Sequence, residues 1–266
     1  KVEKAAETLG YRPNRLVQGI RQGKTGLIGV MVPPHDSFWA DVLYGIHDRL
    51  IERDHVPLVL WSSHGSRAGA EEIRQVHRLV DWRVDGAILW PQFASTYQQH
   101  VEEFAKRDLP VVTLDCILAE SLKADAVTSD ESLGATLVAD HLLAQGHRHV
   151  LHVPGPETES WAKERCRAFQ EAMTSKCPEA VVNVLKGLRK DEPCAKEICA
   201  HLLNSNVTVV YAATDHLAEQ AYQAAASLGW RIPKDISVIG YGDVDLGRYL
   251  SPKLSTVRQE PYAMGR

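Results

Sequence analysis

The feature that most constrains this chain is an alternation. Nine short runs of apolar, often β-branched residues fall at 27–33, 57–63, 86–90, 110–115, 126–129, 149–155, 181–186, 208–213 and 237–241. Amphipathic stretches at 40–54, 69–81, 96–107, 131–145, 161–175, 195–204 and 215–228 separate most of them. A strand that is apolar along its whole length has both faces buried, and parallel strands achieve this because each connection passes through a helix that covers a face. The pattern therefore predicts an α/β fold of parallel sheets flanked by helices. Polar Ser129-Asp130-Glu131-Ser132 interrupts it near the middle and marks a crossing between two lobes.

Composition narrows the field. At 266 residues, 44% of them hydrophobic and 24% charged, the chain has enough apolar surface for two packed lobes. No apolar run approaches the roughly 20 residues that a membrane-spanning helix needs. The five cysteines (116, 166, 177, 194, 199) contain no CxxC pair and are expected as reduced thiols. His147, His149 and His152 cluster around a strand start without ligand-like partners, so they read as surface or packing groups and no metal or cofactor is expected. The chain has no G-x-S-x-G elbow, no P-loop, no G-x-G-x-x-G after a strand and no H-E-x-x-H, which argues against an enzyme.

The charge is distributed unevenly. Residues 1–26 carry six Lys and Arg against two Glu, a net +4, which leaves −8 on the other 240 residues of a chain whose formal charge is −4. A basic arm on an acidic body points to a polyanion met by the arm. Residues 1–9 have the apolar spacing of a helix that Gly10 stops, and Pro13 forces the chain out of the α region. Asn14 is then placed to cap a second helix over 15–22, with Leu16 and Ile20 on one face and Arg15 and Arg21 beside them. Two turns are too short to hold in water alone, so this helix is expected to fold against a partner, and DNA fits that role.

Ligands of open α/β sheets sit outside the carboxyl ends of the strands. Four of the six tryptophans fall there: Trp39, Trp61, Trp90 and Trp161, with Phe38 beside the first. Trp82 and Trp230 do not and read as structural or surface residues. An indole face stacks on the C–H face of a sugar ring while its N–H stays available as a donor. Trp161 and Arg165 are four apart and share a helix face, and a guanidinium fork suits a carboxylate or vicinal hydroxyls. Asp115 ends a strand, where it serves either a pocket or the lobe boundary. Asp215 has two readings, helix N-cap or ligand contact.

The stretch VEKAAETLGYRPNRLVQGIRQGKTGLIGVMVP resembles the join between DNA headpiece and effector domain in the lactose-repressor (LacI/GalR) family of bacterial transcription regulators. WRVDGAILWP, LPVVTLD, HLLAQGHRHVLHVPGP, VVYAATDHLAEQA, LGWRIPKDISVIGYGD and LSPKLSTVRQ come in the family's order, so the resemblance covers essentially the whole chain. It implies a two-lobe fold like that of type I periplasmic binding proteins. Residues 1–26 would be the remnant of headpiece and hinge helix, 27–129 one lobe and 130–256 the other. The chain would cross back around 255–259, so that 257–266 complete the first lobe. A helix-turn-helix would precede Lys1, and further elements would follow Arg266.

The implied function is that of a cytoplasmic, homodimeric, effector-responsive regulator, a repressor by expectation, with 40–54 in the dimer interface. Ile20 would wedge between base steps of operator DNA, with Arg15 and Arg21 on phosphates or the groove floor. The resemblance also places Arg165, Thr214, Asp215 and Ser37 among the effector contacts, together with the acidic position after IGY. There the chain departs from the pattern: many relatives have two acids, and this one reads Gly242-Asp243, so Asp243 is the remaining candidate. A sugar or sugar derivative is the expected effector. The rival reading is a solute receptor of a transport system, for which the basic hinge would have no use.

Overall fold

A computed structural model describes residues 8–11, 19, 23–33, 37–61, 68–91, 94–118, 124–157, 159–186 and 193–266. Arg15, Ile20 and Arg21 lie outside the described residues, as do nearly all of the helices expected over 1–9 and 15–22.

Ten strands and nine helices are described, in this order: β1 (Leu27–Val32), α1 (Ser37–Glu52), β2 (Val56–Trp61), α2 (Ala68–Asp81), β3 (Gly86–Leu89), α3 (Ala94–Ala105), β4 (Val111–Leu114), β5 (Asp125–Val127), α4 (Glu131–Ala144), β6 (His149–Val153), α5 (Ser160–Lys176), β7 (Val181–Val184), α6 (Ala195–Leu203), β8 (Val209–Ala212), α7 (Asp215–Ser227), β9 (Ser237–Gly242), α8 (Leu246–Tyr249), β10 (Ser255–Arg258) and α9 (Pro261–Gly265). They form two compact units. The first holds β1, Leu43–Val127 and Gly265–Arg266; the second holds His35–Val42 and Thr128–Met264.

Each unit contains one five-stranded parallel sheet. The orders are β2-β1-β3-β4-β5 and β10-β9-β8-β6-β7. In both, the connections reverse direction beside the unit's first strand, at β1/β3 and at β6/β8. Such switch points leave a crevice at the strands' carboxyl ends.

Strand periodicity divides the second unit's core into two layers. Along β8, Val209 and Tyr211 pack toward α4 and α5, against Val138, Leu142, Phe169 and Met173. Val210 and Ala212 point the other way, toward Ile198 and Leu202 of α6 and Ala218, Ala221 and Ala225 of α7. This is the period-2 alternation of a strand with helices on both faces. The small α7 alanines let that helix lie close to the sheet. In the first unit Met31, Ala87, Leu89 and Val111 meet Val76 and Leu79 of α2 and Phe104 of α3. Each such fully buried large side chain is worth about 1.5–3 kcal/mol of transfer free energy. Gly29 is needed in β1, because a Cβ there would lie 2.8 Å from the Leu79 side chain.

Two local signals set helix starts. The Asp130 carboxylate accepts the Leu133 N–H at 2.8 Å and caps α4, and the Thr214 hydroxyl accepts the Leu217 N–H at 3.2 Å and caps α7.

The expected connectivity at the end of the chain is corrected. Residues 255–259 do not carry the chain back into the first lobe. They contain β10, which pairs with β9 from Ser255↔Ile239 to Arg258↔Gly242, and Val257 packs on the second unit's core. The second unit therefore runs on to Met264, and of the expected 257–266 only Gly265–Arg266 belong to the first unit. The physical reason is that Ser-Thr-Val-Arg is an edge strand, half-exposed and polar, without the apolar run that marks a central strand.

Candidate functional site

The second unit's site begins where β6 ends. Val153 leads through Pro154 and Gly155 to α5, whose second residue is Trp161. The half-buried indole lies directly on Gly155, where an added Cβ would overlap its ring. One turn later, Arg165 is only 3% exposed. Its Nε donates to Glu131 Oε2 at 2.6 Å, and an Nη donates to the carbonyl of Ala213, just past β8. The guanidinium carbon lies 3.4 Å from the centre of the Tyr241 ring and 4.9 Å from that of Trp161. Tyr241, on β9, fits because α4 carries glycine at 134; any Cβ there would collide with the Tyr241 hydroxyl. Three strand ends and two helix starts thus converge on one arginine.

Glu131, the first residue of α4, is 7% exposed. Taking both charges of the pair out of water costs several kcal/mol per ion, so the pair adds little net stability while intact and is costly to break. Burial works against the Arg165 charge, but the hydrogen bond and charge of Glu131 outweigh it and leave the guanidinium pKa raised. Glu131 Oε1 has no hydrogen-bond partner among the described residues, and the same holds for the buried Tyr211 hydroxyl and His152 Nε2. His152 is a packing residue. Its ring stacks on Tyr211 at 4.5 Å and 18°, and Nδ1 lies 3.0 Å from the Tyr211 carbonyl, so Nδ1 carries the proton. Burial holds the ring neutral, with its pKa lowered to about 4.

Asp215 is not the N-cap, one of its two sequence readings. Thr214 is the N-cap, and Asp215 turns inward. It is fully buried, with Oδ2 accepting the Val244 N–H at 2.9 Å and Oδ1 accepting the Thr256 hydroxyl at 2.6 Å. It presses on Gly240, where a Cβ would overlap its carboxylate. Desolvation outweighs these hydrogen bonds and pushes its pKa up. Asp215 therefore clamps β8–α7 to the segment after β9 and to β10.

Asp243 sits at φ 53°, in the left-handed region that is uncommon outside glycine, and its Oδ2 accepts Arg258 Nε at 2.8 Å. Ser37 Oγ accepts the Asp245 N–H at 3.2 Å. The neighbouring Phe38 and Trp39 are buried and meet edge to face at 5.2 Å and 86°.

In the first unit, Trp61, Trp90 and Asp115 stand at the ends of three different strands. Trp61 is exposed at the end of β2. Trp90 is buried, and its backbone N–H donates to the Met31 carbonyl at 2.8 Å. Asp115, at φ 45°, donates its backbone N–H to the Val127 carbonyl at 2.9 Å.

The structure therefore brings Trp161 and Arg165 together and gives Asp215 and Asp243 partners within the fold. Glu131, Tyr241 and the Ala213 carbonyl complete the arrangement and were not anticipated as site residues. Glu131 is 34 positions from Arg165, and nothing local marks it as a counter-ion. Tyr241 was visible only as part of VIGYGD. The described residues contain no group of three or more His, Cys, Asp or Glu placed to hold a metal, and no helix among them is long and apolar enough to cross a membrane.

Known proteins align with this architecture. A family model described as a periplasmic binding protein-like domain matches residues 139–266. The ribose operon repressor of Haemophilus influenzae is 29% identical over 272 residues, covering 100% of this chain and 79% of the relative. The transcriptional repressor PurR of Aliivibrio fischeri is 27% identical, covering 100% and 79%. A crystal structure of a LacI family transcriptional regulator from Enterococcus faecium with bound ribose is 28% identical, covers 90% of this chain and 86% of that one, and superposes with a TM-score of 0.73. These relatives are transcriptional regulators and not enzymes. Two parallel-sheet units, matched along the full length by such relatives, make the chain similar to transcription regulators of the lactose-repressor (LacI/GalR) family.

Proposed function

We propose that this regulator is a repressor whose second unit binds a sugar or sugar derivative at the carboxyl ends of β6, β8 and β9. The observation that carries the reading is the stack of Trp161, Arg165 and Tyr241 at those ends. Trp161, half-buried on Gly155, supplies the face for a sugar ring. Arg165 has five N–H donors, of which Glu131 and Ala213 take two, and the rest fix an oxygen. Relatives named for the ribose operon, and a related regulator with bound ribose, support the sugar class. Trp90 and Asp115 are candidate contacts of the first unit by the same strand-end rule.

The DNA contacts we assign are Arg15, Ile20 and Arg21, acting from a cytoplasmic homodimer. On α1, Tyr44 and Ile51 are exposed seven residues apart, hence on one face, which supports α1 as part of the dimer interface. Effector and operator then change each other's affinity by the same factor.

Titrating sugars against intrinsic tryptophan fluorescence tests the effector reading. Binding is expected to perturb the signal, and Trp161→Ala and Arg165→Ala are each expected to weaken it by about 1–3 kcal/mol. A protein that binds only nucleobases or amino acids refutes the sugar assignment. A Trp161→Ala variant that binds normally refutes the site.

A further inference from the structure

We infer that the effector of this regulator is uncharged, and that Glu131 is the residue that imposes this by balancing Arg165. The inference rests on the sugar-site reading above and narrows it to neutral, hydroxyl-bearing rings, against phosphorylated or carboxylated ones.

Charge is balanced within the fold at the carboxyl ends of β6, β8 and β9. Arg165 is the cation that would attract an anionic ligand, and its compensating anion is built in: Glu131 Oε2 lies 2.6 Å from Nε, and both side chains are nine-tenths or more buried. The two acids nearby offer an anion no attraction. Asp243 pairs with Arg258 at 2.8 Å. Asp215 is turned inward onto Val244 and Thr256. A phosphate or carboxylate arriving here would meet a guanidinium already neutralised at contact distance, with the buried Glu131 carboxylate directly behind it. It would have to give up its hydration without a counter-charge and beside a like charge, which opposes binding strongly. A hydroxyl carries no such penalty. It accepts from a remaining guanidinium N–H while its ring lies on Trp161. Glycine at 242 agrees with this balance, since an acid there would leave the pair with excess negative charge.

The test uses matched ligands that differ only in charge, titrated against intrinsic fluorescence: ribose with ribose 5-phosphate, and glucose with glucuronate. In the unmodified protein the neutral member of the binding pair is expected to bind at least about tenfold more tightly, the least expected of a like-charge penalty. An anionic member that binds as tightly or more tightly overturns the inference and leaves the sugar reading standing. Glu131→Gln keeps the shape and a hydrogen-bond acceptor for Arg165 Nε but removes the charge. It is expected to shift the neutral-to-anionic ratio toward the anion by about tenfold, and a folded variant with an unchanged ratio overturns the role of Glu131. Should that variant fail to fold, the unmodified protein still decides the charge rule. If adenine binds and no sugar does, the sugar reading fails, and adenine against adenosine monophosphate decides the charge rule in the same way.

Discussion

Breaking the Arg165–Glu131 pair from each side, and then from both, is the sharpest check on the site's energetics. Arg165→Met leaves Glu131 with Oε2 unpaired, Oε1 already without a partner, and the Ala213 carbonyl without its donor. An uncompensated buried charge of this kind costs about 3–5 kcal/mol. Glu131→Leu leaves a buried guanidinium held by the Ala213 carbonyl and the Tyr241 face, with a cost of the same size. The double variant removes both charges and puts apolar side chains against Tyr241 and Trp161. Its remaining defect is one carbonyl without a donor, about 1–3 kcal/mol. The double variant should therefore be more stable than either single one, a strongly non-additive result. Urea unfolding followed by circular dichroism gives all three values, and the single variants should also lose on the order of 10 °C in Tm. If the double loss equals the sum of the single losses, or the single losses stay under about 1 kcal/mol, the pair is not the desolvated unit that the geometry describes.

Gly155→Ala puts a methyl into the Trp161 indole, so sugar-dependent fluorescence should weaken while the unfolding midpoint moves little; unaltered sugar binding would contradict the packing. Asp215→Ala leaves the Val244 N–H and the Thr256 hydroxyl without their acceptor, an expected loss of about 2–5 kcal/mol that urea unfolding would report, and a neutral result would refute the clamp. His152 is neutral in the fold with its pKa near 4, against 6.5 when unfolded, so between these values only the unfolded chain takes up the proton. Its contribution is complete above pH 6.5 and declines as pH falls, by about 3 kcal/mol on reaching pH 4. His152→Phe should flatten that part of the stability–pH curve, and equal slopes in the two proteins would refute the assignment. In a full-length protein carrying the hinge, Ile20→Ala should reduce operator affinity and bending in a gel-shift titration, whereas unchanged values would count against a wedge.

The alternation of apolar runs and amphipathic stretches predicts nine of the ten strands and seven of the nine helices, because strand and helix periodicity are local properties of the chain. Helix caps are also decided within four residues, yet the cap of α7 was read one residue late, at Asp215 instead of Thr214, and that of α4 at Asp130 was not read at all. The tryptophans at strand ends are local too, since a strand's direction places the residues just beyond its carboxyl end. β10 escaped because Ser-Thr-Val-Arg has no pattern of its own and becomes a strand only beside β9. Asp215 read equally well as cap or contact, and its hydrogen bonds within the fold depend on where the turn after β9 and Thr256 of β10 come to lie. The Glu131–Arg165 pair, which determines the charge of the site, joins residues 34 apart that meet only when α4 and α5 pack on the same face of the second sheet. Secondary structure is dictated by neighbours along the chain, whereas the partner of a buried charge is whichever group tertiary packing brings within hydrogen-bond distance, and no local pattern encodes that distance.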